Sequence, residues 1–127
     1  MNTVYSTNKQ QSNNGIIEKH CINNLQANCD IYGGLYEWGE MVQYLNGASN
    51  YTSWNPAPTG PVQGICPPGW HIPGSAEWNA LTDYLGGSTF AGGKMKEIGT
   101  THWATPNAGA TNSSAFTGLP GGYWDDL

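Results

Sequence analysis

The chain has 127 residues, enough for one domain with a real core, and its 12% aromatic content argues against disorder. Eighteen Gly and eight Pro make it loop-rich, with rings rather than long regular elements expected to hold it together. Only 10% of residues are charged, for a net charge of −5, and Lys9, Lys19, Lys94 and Lys96 are the whole cationic complement, which excludes a nucleic-acid partner.

No run approaches the roughly 18 apolar residues of a membrane span. Met1-Asn2-Thr3-Val4-Tyr5 has neither a basic start nor an apolar stretch, so no signal peptide is visible. A surface dominated by amides and hydroxyls points to a secreted or cell-surface protein.

Residues 1–15 form a polar N-terminal segment with β-formers at Thr3-Val4-Tyr5 and a turn at Asn13-Asn14-Gly15. Residues 16–127 read as a single domain. Ile16 and Ile17 suit another short strand leading to Cys21. Leu35, Trp38, Val42 and Leu45 recur at three- and four-residue steps, which predicts a helix stopped at Asn46-Gly47. Prolines 56, 58 and 61 mark an exposed loop over 46–64. A second helix starts at Ser75 as N-cap, carries Glu77 in its first turn, presents Trp78, Leu81 and Leu85, and closes at Gly86-Gly87. A third, short helix is expected over Gly93–Ile98. The fold class is α+β, with two or three short helices and long loops.

Cys21 and Cys29 are eight positions apart, and a disulfide between them suits the spacing better than a zinc site. Cys66 remains as a buried free thiol, an intermolecular partner, or half of a bridge whose mate lies outside this chain. His20, His71 and His102 match no ligand spacing, and no nucleophile elbow or phosphate-binding loop is present. No metal ligand set or cofactor is expected. Calcium, held partly by Asn and backbone oxygens, is the one alternative, and Asp125-Asp126 is the only adjacent acidic pair. Glu37 and Glu40 share a helix face at a spacing of three, which suits a general acid/base pair but more commonly a solvated face.

Trp38, Trp70 and Trp78 fit core positions. Trp54, Trp103 and Trp124 lie in polar loops, where a ring either stacks on the apolar face of a sugar or pins its loop to the core. Asn50-Tyr51-Thr52 and Asn112-Ser113-Ser114 are glycosylation sequons, with Asn50 and Asn112 as acceptors.

Several blocks occur in an informative order: Ala27-Asn28-Cys29-Asp30-Ile31-Tyr32-Gly33-Gly34-Leu35-Tyr36-Glu37-Trp38; Gly64-Ile65-Cys66-Pro67-Pro68-Gly69-Trp70-His71-Ile72-Pro73 with Ala76-Glu77-Trp78; Ala91-Gly92-Gly93-Lys94-Met95-Lys96-Glu97; and Phe116-Thr117-Gly118-Leu119-Pro120-Gly121-Gly122. Together they resemble the Fibrobacter succinogenes major paralogous domain over roughly residues 16–123. The resemblance implies a bacterial surface context and a C-type-lectin-like fold related to the formylglycine-generating type. It carries over no catalytic residue. It also implies a further strand upstream, and downstream strands with a late Cys as partner of Cys66, so that the small antiparallel sheet is expected to be incomplete here. Unpaired strand edges invite pairing with a neighbour, and segment 1–15 is the candidate exchanged strand.

Two functions follow as expectations. One is a non-enzymatic extracellular or surface module for glycan binding or adhesion, with Trp54, Trp103, Tyr123 and Trp124 as contacts and a polysaccharide as partner. The other is a structural subunit of an extracellular bacterial filament, with other copies of the chain as partners, assembled by strand exchange or edge pairing.

Overall fold

The computed structural model describes residues 3–7 and 11–124, which group into two compact units, Met1–Ile72 with Gly121–Leu127 and Pro73–Pro120. In the first unit, strands β1 (Val4–Tyr5) and β2 (Glu18–Lys19) run parallel, with Val4 opposite Glu18 and Tyr5 opposite Lys19. Val4 N–H donates to Ile17 O and Ser6 N–H to Lys19 O, each at 2.9 Å. The antiparallel sheet expected from sequence is therefore corrected to a parallel pair. The reason is the connection: residues 6–17 are long enough to return the chain to the same end, as a parallel pair demands. Among the described residues, antiparallel pairing in this unit is confined to a single bridge between His20 and Leu35.

After β2 the chain passes through Cys21, a 3₁₀ turn at Ile22–Asn24 and helix α1 (Gln26–Tyr32). The Cys21–Cys29 disulfide joins the start of this segment to the helix, and both sulfurs are buried. Sequence periodicity gave no sign of α1, because Leu25, Ile31 and their neighbours are exposed and leave no apolar stripe. Gly33, in the left-handed region at φ 84°, ends the helix.

The helix expected across Leu35–Leu45 shrinks to α2 (Trp38–Met41). Gln43 and Tyr44 both adopt positive φ, at 54° and 52°, which stops the helix two residues after Met41. Gly39 allows the reversal, since a Cβ there would strike the Tyr44 ring. The chain then runs through a 3₁₀ turn at Leu45–Gly47 into the proline-bearing loop.

The interior of this unit is small and polar. Buried Cys21, Cys29, Val42 and Ala48 share it with Ser6, Gln11, Glu18, His20 and Glu40. Trp38 and Trp70, expected in the core, are exposed, as is Trp78 in the second unit. The polar side chains and the disulfide occupy the space that large rings would have filled.

The second unit is built on α3 (Ser75–Tyr84) and α4 (Ser88–Met95). The N-cap of α3 is Gly74, one residue before the Ser75 expected, and Glu77 reaches back to accept its N–H at 2.8 Å. Gly86 and Gly87, at φ 94° and 92°, separate the helices as the sequence indicates. The third helix begins earlier than the expected Gly93–Ile98, because Ser88 follows the Gly87 cap directly. The last carbonyls of a helix need donors from elsewhere, and here the following loop supplies them. Thr111 N–H donates to Gly93 O at 2.8 Å, Ser114 N–H and Oγ–H to Lys94 O at 3.1 and 2.9 Å, and Gly118 N–H to Met95 O at 2.7 Å. A Cβ on Gly93 would run into the Gly109 carbonyl oxygen, so glycine sets the closeness of this wrap.

Candidate functional site

Hydrogen bonds gather buried polar groups of the first unit around two carboxylates, Glu40 and Glu37. Glu40, with no exposed surface, accepts Glu18 N–H at 2.9 Å and the Tyr44 hydroxyl at 2.7 Å. Glu37 accepts Gln11 N–H at 3.2 Å and the Asn50 side-chain amide, while Asn50 Oδ1 accepts Gly39 N–H at 2.8 Å. His20 Nε2 lies 3.4 Å from Glu37 Oε1, and the Trp124 ring stacks flat on the imidazole with centroids 4.0 Å apart. Asn14 donates to Glu18 Oε2 at 3.3 Å and accepts Ile16 N–H at 2.8 Å, which fastens the 11–18 loop. The solvated face expected for Glu37 and Glu40 is thus corrected: α2 turns both carboxylates inward, where they bind loop amides. Burial, then the hydrogen bond to Glu40, then the fields of Glu40, Glu37 and Glu18 hold the Tyr44 phenol well above its ordinary range, so it remains a donor.

This network forms one wall of a cleft of about 360 Å³ lined by Gln11, Ser12, Asn13, Tyr44, Gly47, Ala48, Ser49, Asn50 and Tyr51. Among the described residues the lining is amide, hydroxyl and aromatic, with no ionised side chain in it. A turn holds Tyr51: Ser49 Oγ accepts Tyr51 N–H at 3.2 Å and Thr52 N–H at 3.1 Å, and Ser49 N–H donates to Thr52 O at 3.0 Å. The Tyr51 ring is 75% exposed. Gln11 is only 7% exposed, yet neither its Nε2 nor its Oε1 has a hydrogen-bond partner among the described residues. A buried primary amide in that state is rare and calls for an explanation.

The four rings expected to contact a ligand are placed differently from one another. Trp54 is half-buried, tilts against Trp38 with centroids 5.1 Å apart, and has its Nε1 buried. Trp103, in the second unit, donates Nε1–H to Gly118 O at 2.9 Å and carries Lys96 Nζ 4.6 Å over its ring. Trp124 is held against His20. Tyr123 alone of the four is largely exposed, at 82%. Both sequon asparagines have engaged side chains: Asn50 as above, and Asn112 donating to Thr117 Oγ1 at 2.9 Å and accepting Thr117 N–H at 2.8 Å. Cys66 is a free, half-buried thiol.

Gln11, Tyr44 and Tyr51 escaped sequence reasoning. The one available signal was the four-residue step from Glu40 to Tyr44, which matches their hydrogen bond. Among the described residues, no group of three or more His, Cys, Asp and Glu side chains is placed to hold a metal ion; Asp125 and Asp126 lie outside them. No described helix is long and apolar enough to cross a membrane.

The family model for the Fibrobacter succinogenes major domain matches residues 2–127. No curated protein and no solved structure matches the chain.

Proposed function

This chain belongs to the Fibrobacter succinogenes major domain family, and for it we propose a non-enzymatic, extracellular or cell-surface role in glycan binding, centred on the cleft between Gln11–Asn13 and Tyr44–Tyr51. The observation that carries this reading is the cleft lining, where the amides and hydroxyls of Gln11, Ser12, Asn13, Ser49 and Asn50 stand beside the exposed Tyr51 ring and the Gln11 side-chain amide has no hydrogen-bond partner among the described residues. A primary amide offers one N–H and one C=O side by side, which suits two neighbouring sugar hydroxyls. The exposed Tyr51 ring beside it supplies an apolar face for a pyranose. Glu37 and Glu40 are occupied in holding the cleft wall, which supports binding rather than acid/base chemistry. The disulfide suits an oxidising compartment. Kinship with C-type-lectin-like folds is part of the same proposal, supported by the helix start at Ile72-Pro73 through Glu77-Trp78.

Titration calorimetry of the full chain against soluble oligosaccharides tests it, with Tyr51→Ala and Gln11→Met as variants and circular dichroism as the folding control. Each variant is expected to lose most of the affinity while keeping its fold. Unchanged affinity in both removes the cleft as the site.

A second reading, the filament subunit, draws on β1. Among the described residues it pairs with β2 alone, leaving an open edge flanked by exposed Val4 and Ile16. Deleting residues 1–15 is expected to abolish any ordered polymer seen by electron microscopy; normal fibres from the truncated chain refute it.

A further inference from the structure

We infer that the cleft is selective for uncharged sugars and excludes glycans bearing carboxylate or sulfate groups. This rests on the glycan-binding reading and adds the class of glycan to it.

An acidic sugar is ordinarily recognised by a cation that pairs with its carboxylate or sulfate. Among the described residues the cleft lining holds none: Gln11, Ser12, Asn13, Ser49, Asn50 and the two tyrosines offer amides, hydroxyls and rings. The chain has no arginine to bring to it. Behind the lining stand carboxylates in direct contact with it. Glu40 binds the Tyr44 hydroxyl at 2.7 Å, Glu37 binds both the Gln11 backbone N–H at 3.2 Å and the Asn50 amide, and Glu18 reaches Asn14 next to Asn13 at 3.3 Å. Among the described residues of this unit, Glu18, Asp30, Glu37 and Glu40 stand against the single amine of Lys19.

Two consequences follow. An incoming carboxylate meets a field of its own sign with no partner to offset its lost hydration. A neutral pyranose meets no such barrier, and the amides and hydroxyls of the lining suit its hydroxyls. Burial and the hydrogen bond to Glu40 raise the Tyr44 phenol, and the fields of Glu40, Glu37 and Glu18 act on it in the same direction. The carboxylates are held by backbone and side-chain donors.

The experiment compares matched hexasaccharides differing only at C6: mannose with mannuronate, galactose with galacturonate, glucose with glucuronate. Affinities are measured on the full chain at low and high salt. At least one neutral sugar is expected to bind, with its uronate counterpart about tenfold or more weaker at low salt and the gap narrowing as salt screens the repulsion. A Ser12→Lys variant, which places an amine in the lining, is expected to raise uronate affinity by about tenfold. A uronate that binds the native chain as tightly as its neutral partner overturns the selectivity and leaves glycan binding standing. A Ser12→Lys chain with unchanged uronate affinity also overturns it, because discrimination then arises elsewhere. Binding of no sugar from either series overturns both readings.

Discussion

Replacing Gln11 by Met separates what the residue does for the fold from what it does for a ligand. The side chain is 7% exposed, and its amide nitrogen and oxygen have no partner among the described residues. Leaving a buried polar group unsatisfied costs about 1–3 kcal/mol. Methionine has a similar length and shape and no such requirement. The backbone N–H of residue 11 still donates to Glu37, so the wall of the cleft is kept. Gln11→Met is therefore expected to stabilise the free protein by about 1–2 kcal/mol, raising the melting temperature by roughly 3–8 °C. Saturating sugar reverses the order, because the native chain gains RT ln(1 + [L]/Kd) while the variant gains little. Thermal and urea unfolding, each followed by circular dichroism with and without sugar, read both effects. A variant that is less stable than the native chain without ligand refutes the reasoning, since the amide would then be satisfied in solution.

Three further outcomes follow from the network. Glu40→Ala removes the acceptor of both Glu18 N–H and the Tyr44 hydroxyl in a fully buried position, and a loss of roughly 3 kcal/mol in urea unfolding is expected. The exposed Asp30→Ala control should stay within about 0.5 kcal/mol of the native chain. Tyr44 holds its proton more tightly in the folded than in the unfolded chain, so its contribution is full below its ordinary value of 10.0 and drains as pH rises above it. Tyr44→Phe should flatten the alkaline fall in stability; an unchanged slope above pH 10 contradicts the assignment. The Cys21–Cys29 bridge closes a loop with a sequence separation of eight, and replacing both cysteines by Ala should destabilise the chain by about 2.5 kcal/mol. No change in the urea midpoint would show that α1 is held without the cross-link.

Local chemistry was readable wherever a residue type dictates a backbone state. Gly86-Gly87 separates the two helices of the second unit, Glu77 caps the first, and the Cys21–Cys29 spacing gives the disulfide. Sequence failed where a non-local contact overrules a local pattern. The period from Leu35 to Leu45 is helical, yet Gln43 and Tyr44 adopt positive φ and α2 ends at Met41. Leu35 lies instead in a bridge with His20. Periodic or apolar context points Trp38, Trp70 and Trp78 to the core, and all three are exposed. Trp103 and Trp124, set among polar residues, are held by a carbonyl and a histidine ring that no periodicity could indicate.

The polar interior of the first unit makes physical sense as support for a binding wall. Val42, Ala48 and the disulfide bury little apolar surface, so position has to be fixed by directional bonds instead. Hydrogen bonds to carboxylates are about twice as strong as neutral ones and tolerate little misalignment. Glu37 ties Gln11 to Asn50, two cleft-lining residues 39 positions apart, through one carboxylate oxygen. An aliphatic side chain at 37 would fill the same volume without setting that distance. On this view Glu37→Leu need not unfold the unit, but it should blunt sugar affinity although residue 37 does not line the cleft. A Glu37→Leu chain that is folded and binds with native affinity would show that the width of the cleft is set elsewhere.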